Sequence, residues 1–157
     1  MFERIPVFLC LKIETVPAGA KYTQVLQATG GALHVSAGWA LPQMIEALDR
    51  GVHAFNTTAV NRPFVRIYEL HKAGRRGEAE SLFEDVVPYL AWSHQHIDVS
   101  IQFLKRYCLK RGLFSTACVR PPILTYDDYH ERCGDELIER LIAMEKGLRG
   151  SGARAAP

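Results

Sequence analysis

Short apolar runs alternate with amphipathic stretches along the first part of the chain. Three such runs predict strands, at about residues 7–13, 32–36 and 52–56. Between them, residues 19–29 carry apolar side chains at helical spacing and end at a Gly-Gly pair, and a second helix opens at Pro42 and ends in Arg50-Gly51. Strands that alternate with helices in this way are typical of parallel βαβ units.

From Asn61 onward the apolar periodicity is helical throughout. It predicts one helix that ends near Gly74, a second that starts after Gly77, a third that ends at Gly112, and a terminal helix up to residue 148. Thr125 and Asp128 resemble a capping box for the terminal helix. We therefore expect three βα units in residues 1–74, a helical extension in residues 75–148 and a disordered tail in residues 149–157.

The predicted sheet is incomplete. Parallel sheets are usually covered on both faces, and three strands leave two open edges that native proteins normally protect. A complete (β/α)₈ barrel takes about 250 residues, whereas this chain has 157. We predict an α/β fold that is a partial (β/α)₈ TIM barrel: three parallel βα units followed by a C-terminal helical extension, with another polypeptide segment completing the sheet.

Composition excludes several classes of function. A formal net charge of +2 is too small to indicate nucleic-acid binding or an anionic membrane surface. The four cysteines form no CxxC pair, so neither disulfides nor a zinc site is expected. No apolar run is long enough to span a membrane, and the N-terminal run is too short for a signal peptide. The sequence thus favours a cytoplasmic protein with reduced thiols.

Lys12 lies inside the first apolar strand, and two interpretations of it are open. An amine that burial removes from water gives up its proton more readily, which is what a lysine needs to attack a carbonyl and form a Schiff base. Alternatively, Lys12 belongs to an edge strand and extends its amine into solvent.

Five short motifs together resemble the C-terminal half of the dihydrodipicolinate synthase / N-acetylneuraminate lyase family of Schiff-base lyases. The motifs occur in the family's order: residues 10–14 around Lys12, residues 35–38 ending in Gly38, residues 51–57, the pair Lys105 and Gly112, and residues 120–122. The resemblance extends from about residue 5 to about residue 148. It implies that Lys12 forms an imine with a 2-keto acid, such as pyruvate or a sugar-acid derivative, with no metal and no organic cofactor.

The resemblance also implies the other site residues. Gly38, Phe55, Asn56 and Thr57 would line the substrate pocket, although each is also compatible with an ordinary turn or strand end. Glu14 shares the strand parity of Lys12, so it would either tune the lysine or bind substrate hydroxyls, or else be a solvated carboxylate. For Lys105 and Arg120 we favour structural roles, with Arg120 anchoring its loop. His94, His96 and Asp98 fit a solvated helix junction better than a metal site.

The family's N-terminal half carries a threonine pair and a tyrosine that shuttle protons, and neither has a counterpart here. General acid–base catalysis contributes about 10²–10⁴-fold in rate, so the chain alone should be weakly active or inactive. We expect the C-terminal portion of a lyase, aldolase or dehydratase that needs an N-terminal half or a full-length homologue, in a homo-oligomer. The alternatives are a noncatalytic remnant that acts as an oligomerisation or partner-binding module and, less favoured, an independent α/β module with an unrelated ligand.

Overall fold

The computed structural model describes residue 5, residues 7–38 and residues 41–152 of the chain. Its regular elements are β1 (Cys10–Ile13), α1 (Gly19–Ala28), β2 (His34–Ala37), a 3₁₀ turn (Leu41–Gln43), α2 (Met44–Asp49), β3 (Ala54–Phe55), α3 (Asn61–Lys72), α4 (Arg76–Ser93), α5 (Ile97–Lys110) and α6 (Asp128–Gly152). This order of three βα units followed by helices confirms the predicted α/β class. Residues 1–4, which bear on the predicted lack of a signal peptide, lie outside the described residues.

The three described strands form one parallel sheet in the order β1-β2-β3. Lys12 pairs in register with Ser36, and Ser36 pairs with Ala54. Along the β2–β3 edge, His53 N donates to Val35 O at 2.9 Å and Asn56 N donates to Ala37 O at 3.2 Å. These two bonds lie on either side of β3, so contact with β2 extends from His53 to Asn56 although the regular strand is only two residues long.

The two faces of this sheet differ. We call the face that carries Ile13, Val35 and Ala37 the helix face, because these side chains are buried in one cluster with Tyr22 of α1 and Ala47 of α2. The opposite face, which we call the lysine face, carries Cys10, Lys12, His34 and Ser36; the first three are exposed and Ser36 is half-buried. Helices α1 and α2 cover the helix face, whereas the described residues leave most of the lysine face open to water.

Left-handed glycines end the elements where the sequence predicted that they would. Gly30 and Gly31 follow α1 with φ of 56° and 76°, and Gly51 follows α2 with φ of 91°. Gly51 N donates to Leu48 O, which turns the chain out of α2 and into β3. A residue with a side chain is strained at such φ values, so these glycines fix the lengths of the βα units.

The chain divides into two compact units. The first contains the described residues up to Thr57 together with Ile67–Phe83, and the second contains Thr58–Arg66 and the described residues from Glu84 onward. This division differs from the boundary expected at residue 74, because α3 and α4 are each divided between the two units.

The second unit is built on α5 and α6. The side chain of Asp127, not Thr125, caps α6: its Oδ1 accepts the backbone N–H of His130 at 2.8 Å. The helix continues to Gly152, beyond the predicted end at residue 148, and the rest of the expected tail lies outside the described residues.

Candidate active site

Lys12 lies near the carboxyl end of β1, the end of a parallel strand at which barrel enzymes form their sites. Its side chain is 45 % exposed, and its Nζ lies 3.0 Å from Oε1 of Glu14. Of the two interpretations of Lys12, this geometry matches the second: in the described residues the lysine face is open to water, and Nζ is paired with a carboxylate. An ion pair as exposed as this one contributes about 0–1 kcal/mol to stability.

Glu14 follows β1 and places its carboxylate over the turn that ends β2. A Cβ built on Gly38 would lie 2.7 Å from both Cδ and Oε1 of Glu14, so only a glycine leaves room for this side chain. The Gly38 N–H donates to Ile13 O at 3.0 Å, which continues the β1–β2 ladder into the turn. The structure thus brings together Lys12, Glu14 and Gly38, as their strand positions predicted.

Ser36 and Asn56 extend the same patch across the sheet. Ser36 stands beside Lys12 in the register, and Nδ2 of Asn56 lies 3.5 Å from Ser36 Oγ, the outer limit of a hydrogen bond. Sequence reasoning placed Asn56 here but did not single out Ser36. The signal was present, because Ser36 has the same parity in β2 as the predicted Gly38.

Phe55 is on the other side of the sheet. It pairs with Ala37 and packs against the buried cluster on the helix face, so it does not line the patch around Lys12 as the sequence interpretation proposed. The physical reason is strand alternation: Ala54 pairs with Ser36 and therefore shares the lysine face, which turns Phe55 away. Thr57 is half-buried and follows Asn56 beyond the strand.

The histidines considered for a metal have local structural partners. His96 Nδ1 accepts the Asp98 N–H at 3.1 Å and caps α5, while His94 Nδ1 lies 3.1 Å from Leu90 O. Burial lowers the pKa of His94 below its ordinary value, against a raising effect of the bond to Leu90. Over the described ranges, no three His, Cys, Asp or Glu side chains are grouped so as to hold a metal ion.

The loop between α5 and α6 is held by Lys105. Its Nζ donates to Cys118 O at 2.7 Å, whereas Arg120, expected to anchor the loop, is exposed. Further along, Leu124 N donates to Asp98 Oδ2 at 3.0 Å and Tyr126 Oη donates to Val99 O at 2.8 Å, so the loop runs back along α5. All four cysteines are free thiols, and none of the helices described is long and apolar enough to cross a membrane.

Comparison with solved structures identifies similar folds. The chain superposes on dihydrodipicolinate synthase from Rhodopseudomonas palustris with a TM-score of 0.74 and 28% identity, covering 83% of this chain and 45% of that one. The 4-hydroxy-tetrahydrodipicolinate synthase from the methanotroph Methylacidiphilum fumariolicum gives a TM-score of 0.73 at 18% identity, with 94% of this chain and 49% of that chain covered. No protein-family model and no curated protein matches the sequence.

These findings confirm the resemblance inferred from the five motifs, and they are consistent with the C-terminal half of such a synthase. The chain spans about half the length of the solved structures it matches. Its three βα units are a partial TIM barrel.

Proposed function

We propose that this chain supplies the C-terminal portion of a Schiff-base-forming lyase, aldolase or dehydratase for a 2-keto acid, with Lys12 as the amine. The observation that carries the proposal is the placement of Lys12 at the carboxyl end of a parallel strand, with Glu14, Gly38, Ser36 and Asn56 beside it. In this reaction the neutral amine adds to the ketone carbon, water leaves, and the protonated imine then withdraws electrons from the adjacent bonds. The imine itself is the electron sink, so no metal or organic cofactor is required.

The exposure of Lys12 supports the second part of the proposal, that an N-terminal half or a full-length homologue completes the site. Barrel interiors are packed with side chains, whereas here Cys10, Lys12 and His34 face water. The outer edges of β1 and β3 carry no described partner strand. A complementary set of βα units would cover the lysine face, remove water from the amine and supply the proton-transferring groups.

Reductive trapping tests this proposal. The purified chain is incubated with pyruvate and sodium borohydride, and the adduct is located by mass spectrometry of the intact protein and its peptides. We expect an adduct on Lys12 that grows when the unmatched N-terminal part of the Rhodopseudomonas palustris enzyme is added. Lys12→Arg keeps the charge but cannot form the imine and should abolish the adduct. The matched variant Lys72→Arg, at an exposed lysine of α3, should leave it unchanged.

An adduct spread evenly over the surface lysines, or one that persists in Lys12→Arg, would contradict the assignment. The same openness of Lys12 supports a second candidate, a noncatalytic module that binds a full-length homologue or a second copy of itself. That candidate predicts no adduct in any condition together with a stable complex in sedimentation analysis.

A further inference from the structure

The carboxylate of Glu14 occupies the immediate surroundings of the Lys12 amine. Its Oε1 is 3.0 Å from Nζ, and the carboxyl group lies over Gly38 so closely that even a methyl group at that position would meet it. The polar neighbours Ser36 and Asn56, which lie along the same patch, are both uncharged. The carboxylate of Glu14 therefore places a negative charge directly beside this amine.

A 2-keto acid must bring a second carboxylate to the same place. Its carboxylate carbon is bonded directly to the carbonyl carbon that the amine attacks, so in the reactive approach this negative charge comes to within about 4 Å of Nζ. Oε1 of Glu14 already lies 3.0 Å from the same Nζ, so the substrate carboxylate and the Glu14 carboxylate come close to each other and repel. A neutral ketone does not encounter this repulsion.

We propose that Glu14 is an internal competitor and a specificity-determining residue: its carboxylate holds the position next to Lys12 that the carboxylate of a 2-keto acid needs. Imine formation with a 2-keto acid then requires Glu14 to turn away from Lys12. Glu14 is 52 % exposed and its carboxyl group is the flexible end of the side chain, so there is room for such a turn. This inference rests on the proposed role of Lys12 as the imine-forming amine.

The first experiment compares two carbonyl compounds on three proteins. Borohydride trapping on Lys12 is measured with pyruvate and with hydroxyacetone, a neutral ketone of similar size, for the parent chain, Glu14→Gln and Glu139→Gln. Glu14→Gln preserves the size of the side chain and removes its charge, and Glu139→Gln removes one negative charge from the exposed face of α6. We expect Glu14→Gln to raise trapping of pyruvate about 5–10-fold and to leave that of hydroxyacetone nearly unchanged, with Glu139→Gln unchanged for both compounds.

Equal increases for the two ketones, or no increase, would overturn the inference while leaving the imine role of Lys12 intact. An adduct that appears with pyruvate only in Glu14→Gln would support it. If no protein forms any adduct, the proposed function fails, and the competition is decided by a measurement that needs no imine.

That measurement is acetylation of Lys12 by acetic anhydride in the presence of oxamate, a pyruvate analogue whose amide carbonyl does not form the imine. The inference predicts that oxamate protects Lys12 in Glu14→Gln at concentrations about 5–10-fold lower than in the parent chain. Equal protection of the two proteins would overturn it. Circular dichroism of each variant shows that a change in labelling does not reflect unfolding.

Discussion

Tyr107 of α5 and Glu145 of α6 form a buried hydrogen-bonded pair: the Tyr107 hydroxyl lies 2.8 and 2.9 Å from the two carboxylate oxygens of Glu145. Glu145 is 2 % exposed, and Arg111 pairs with the same carboxylate. Burial, followed by the bond to Glu145, raises the pKa of Tyr107, so its hydroxyl stays a donor across the physiological range. Because these polar groups must meet one another inside an otherwise apolar contact, the cluster fixes how α5 and α6 are aligned along each other.

Removal of Arg111 should destabilise the second unit strongly. Arg111→Met leaves Glu145 buried without its counter-charge, and we expect a loss of about 3–5 kcal/mol in the free energy of unfolding. Tyr107→Phe, which removes one hydrogen bond to a charged group, should cost about 2 kcal/mol. Urea denaturation followed by circular dichroism measures both. Arg132→Met, at an exposed arginine of the same helix pair, is the matched control and should cost less than about 0.5 kcal/mol; equal losses at Arg111 and Arg132 would refute the role of the cluster.

Asp49 should contribute stability that disappears in acid. Hydrogen bonds from Arg76 and then His71 lower the pKa of Asp49 below its ordinary value of 3.8. A carboxyl whose pKa is lowered by folding stabilises the protein above its ordinary pKa and loses that contribution as the pH falls through the folded value. Because the side chain is 39 % exposed, we expect Asp49→Asn to cost only about 0.5–1 kcal/mol at pH 7.

The difference between Asp49→Asn and the parent chain should shrink toward zero below about pH 4, as unfolding curves recorded at several pH values would show. Glu84→Gln, at another exposed carboxylate, should behave like the parent chain at every pH. A difference that persists unchanged into acid would mean that the Asp49 side chain acts through packing and not through its charge.

Gly38→Ala should alter the environment of Lys12 with little effect on folding. The added Cβ would meet the end of the Glu14 side chain, which can move, and Gly38 does not have a left-handed φ. We expect a change below about 1 kcal/mol in stability, together with faster acetylation of Lys12 as Glu14 is displaced. Gly30→Ala is the opposite control: its φ of 56° makes alanine strained, so stability should fall by about 1 kcal/mol while Lys12 labelling stays constant. Unchanged labelling in Gly38→Ala would show that Glu14 does not depend on this glycine.

Lys105→Met should loosen the loop that runs back along α5. The bond from Lys105 to Cys118 O is worth about 1–1.5 kcal/mol, so amide hydrogen exchange in residues 113–124 should accelerate about tenfold. Lys110→Met removes a cation from the same helix, but Lys110 pairs with Asp135 and Glu139 of α6. Amide exchange in the loop should therefore be unchanged in Lys110→Met. An equal acceleration in Lys105→Met and Lys110→Met would show that the bond from Lys105 to Cys118 O does not hold the loop.

The parts of the fold that local chemistry controls could be predicted from the sequence. Gly31 and Gly51 mark helix ends because a left-handed residue is needed there, and the alternation along β1 placed Glu14 beside Lys12. Phe55 was misplaced because successive side chains of a strand point to opposite faces, so Phe55 and Asn56 cannot both line the lysine face. Which of the two does so is set by the pairing of Ala54 with Ser36, which lies in a separate segment of the chain.

Features that depend on contacts between distant segments could not be predicted from the sequence. In the sequence, Glu145 is one more charged position of an amphipathic helix. The hydroxyl that binds it in the buried contact belongs to Tyr107, 38 residues earlier. The sequence also left open whether Lys12 is buried or exposed, because whether a strand residue faces water depends on what packs against the sheet and not on its neighbours in sequence.

The polar character of the lysine face has a practical consequence. The described side chains of the lysine face carry a thiol, an amine, an imidazole and a hydroxyl (Cys10, Lys12, His34 and Ser36), so this face is better suited to contact with water than a large apolar patch would be. Split-protein reconstitution then becomes feasible: this polypeptide could be prepared separately and mixed with matching halves from different synthases, each pairing being scored by how far it restores turnover.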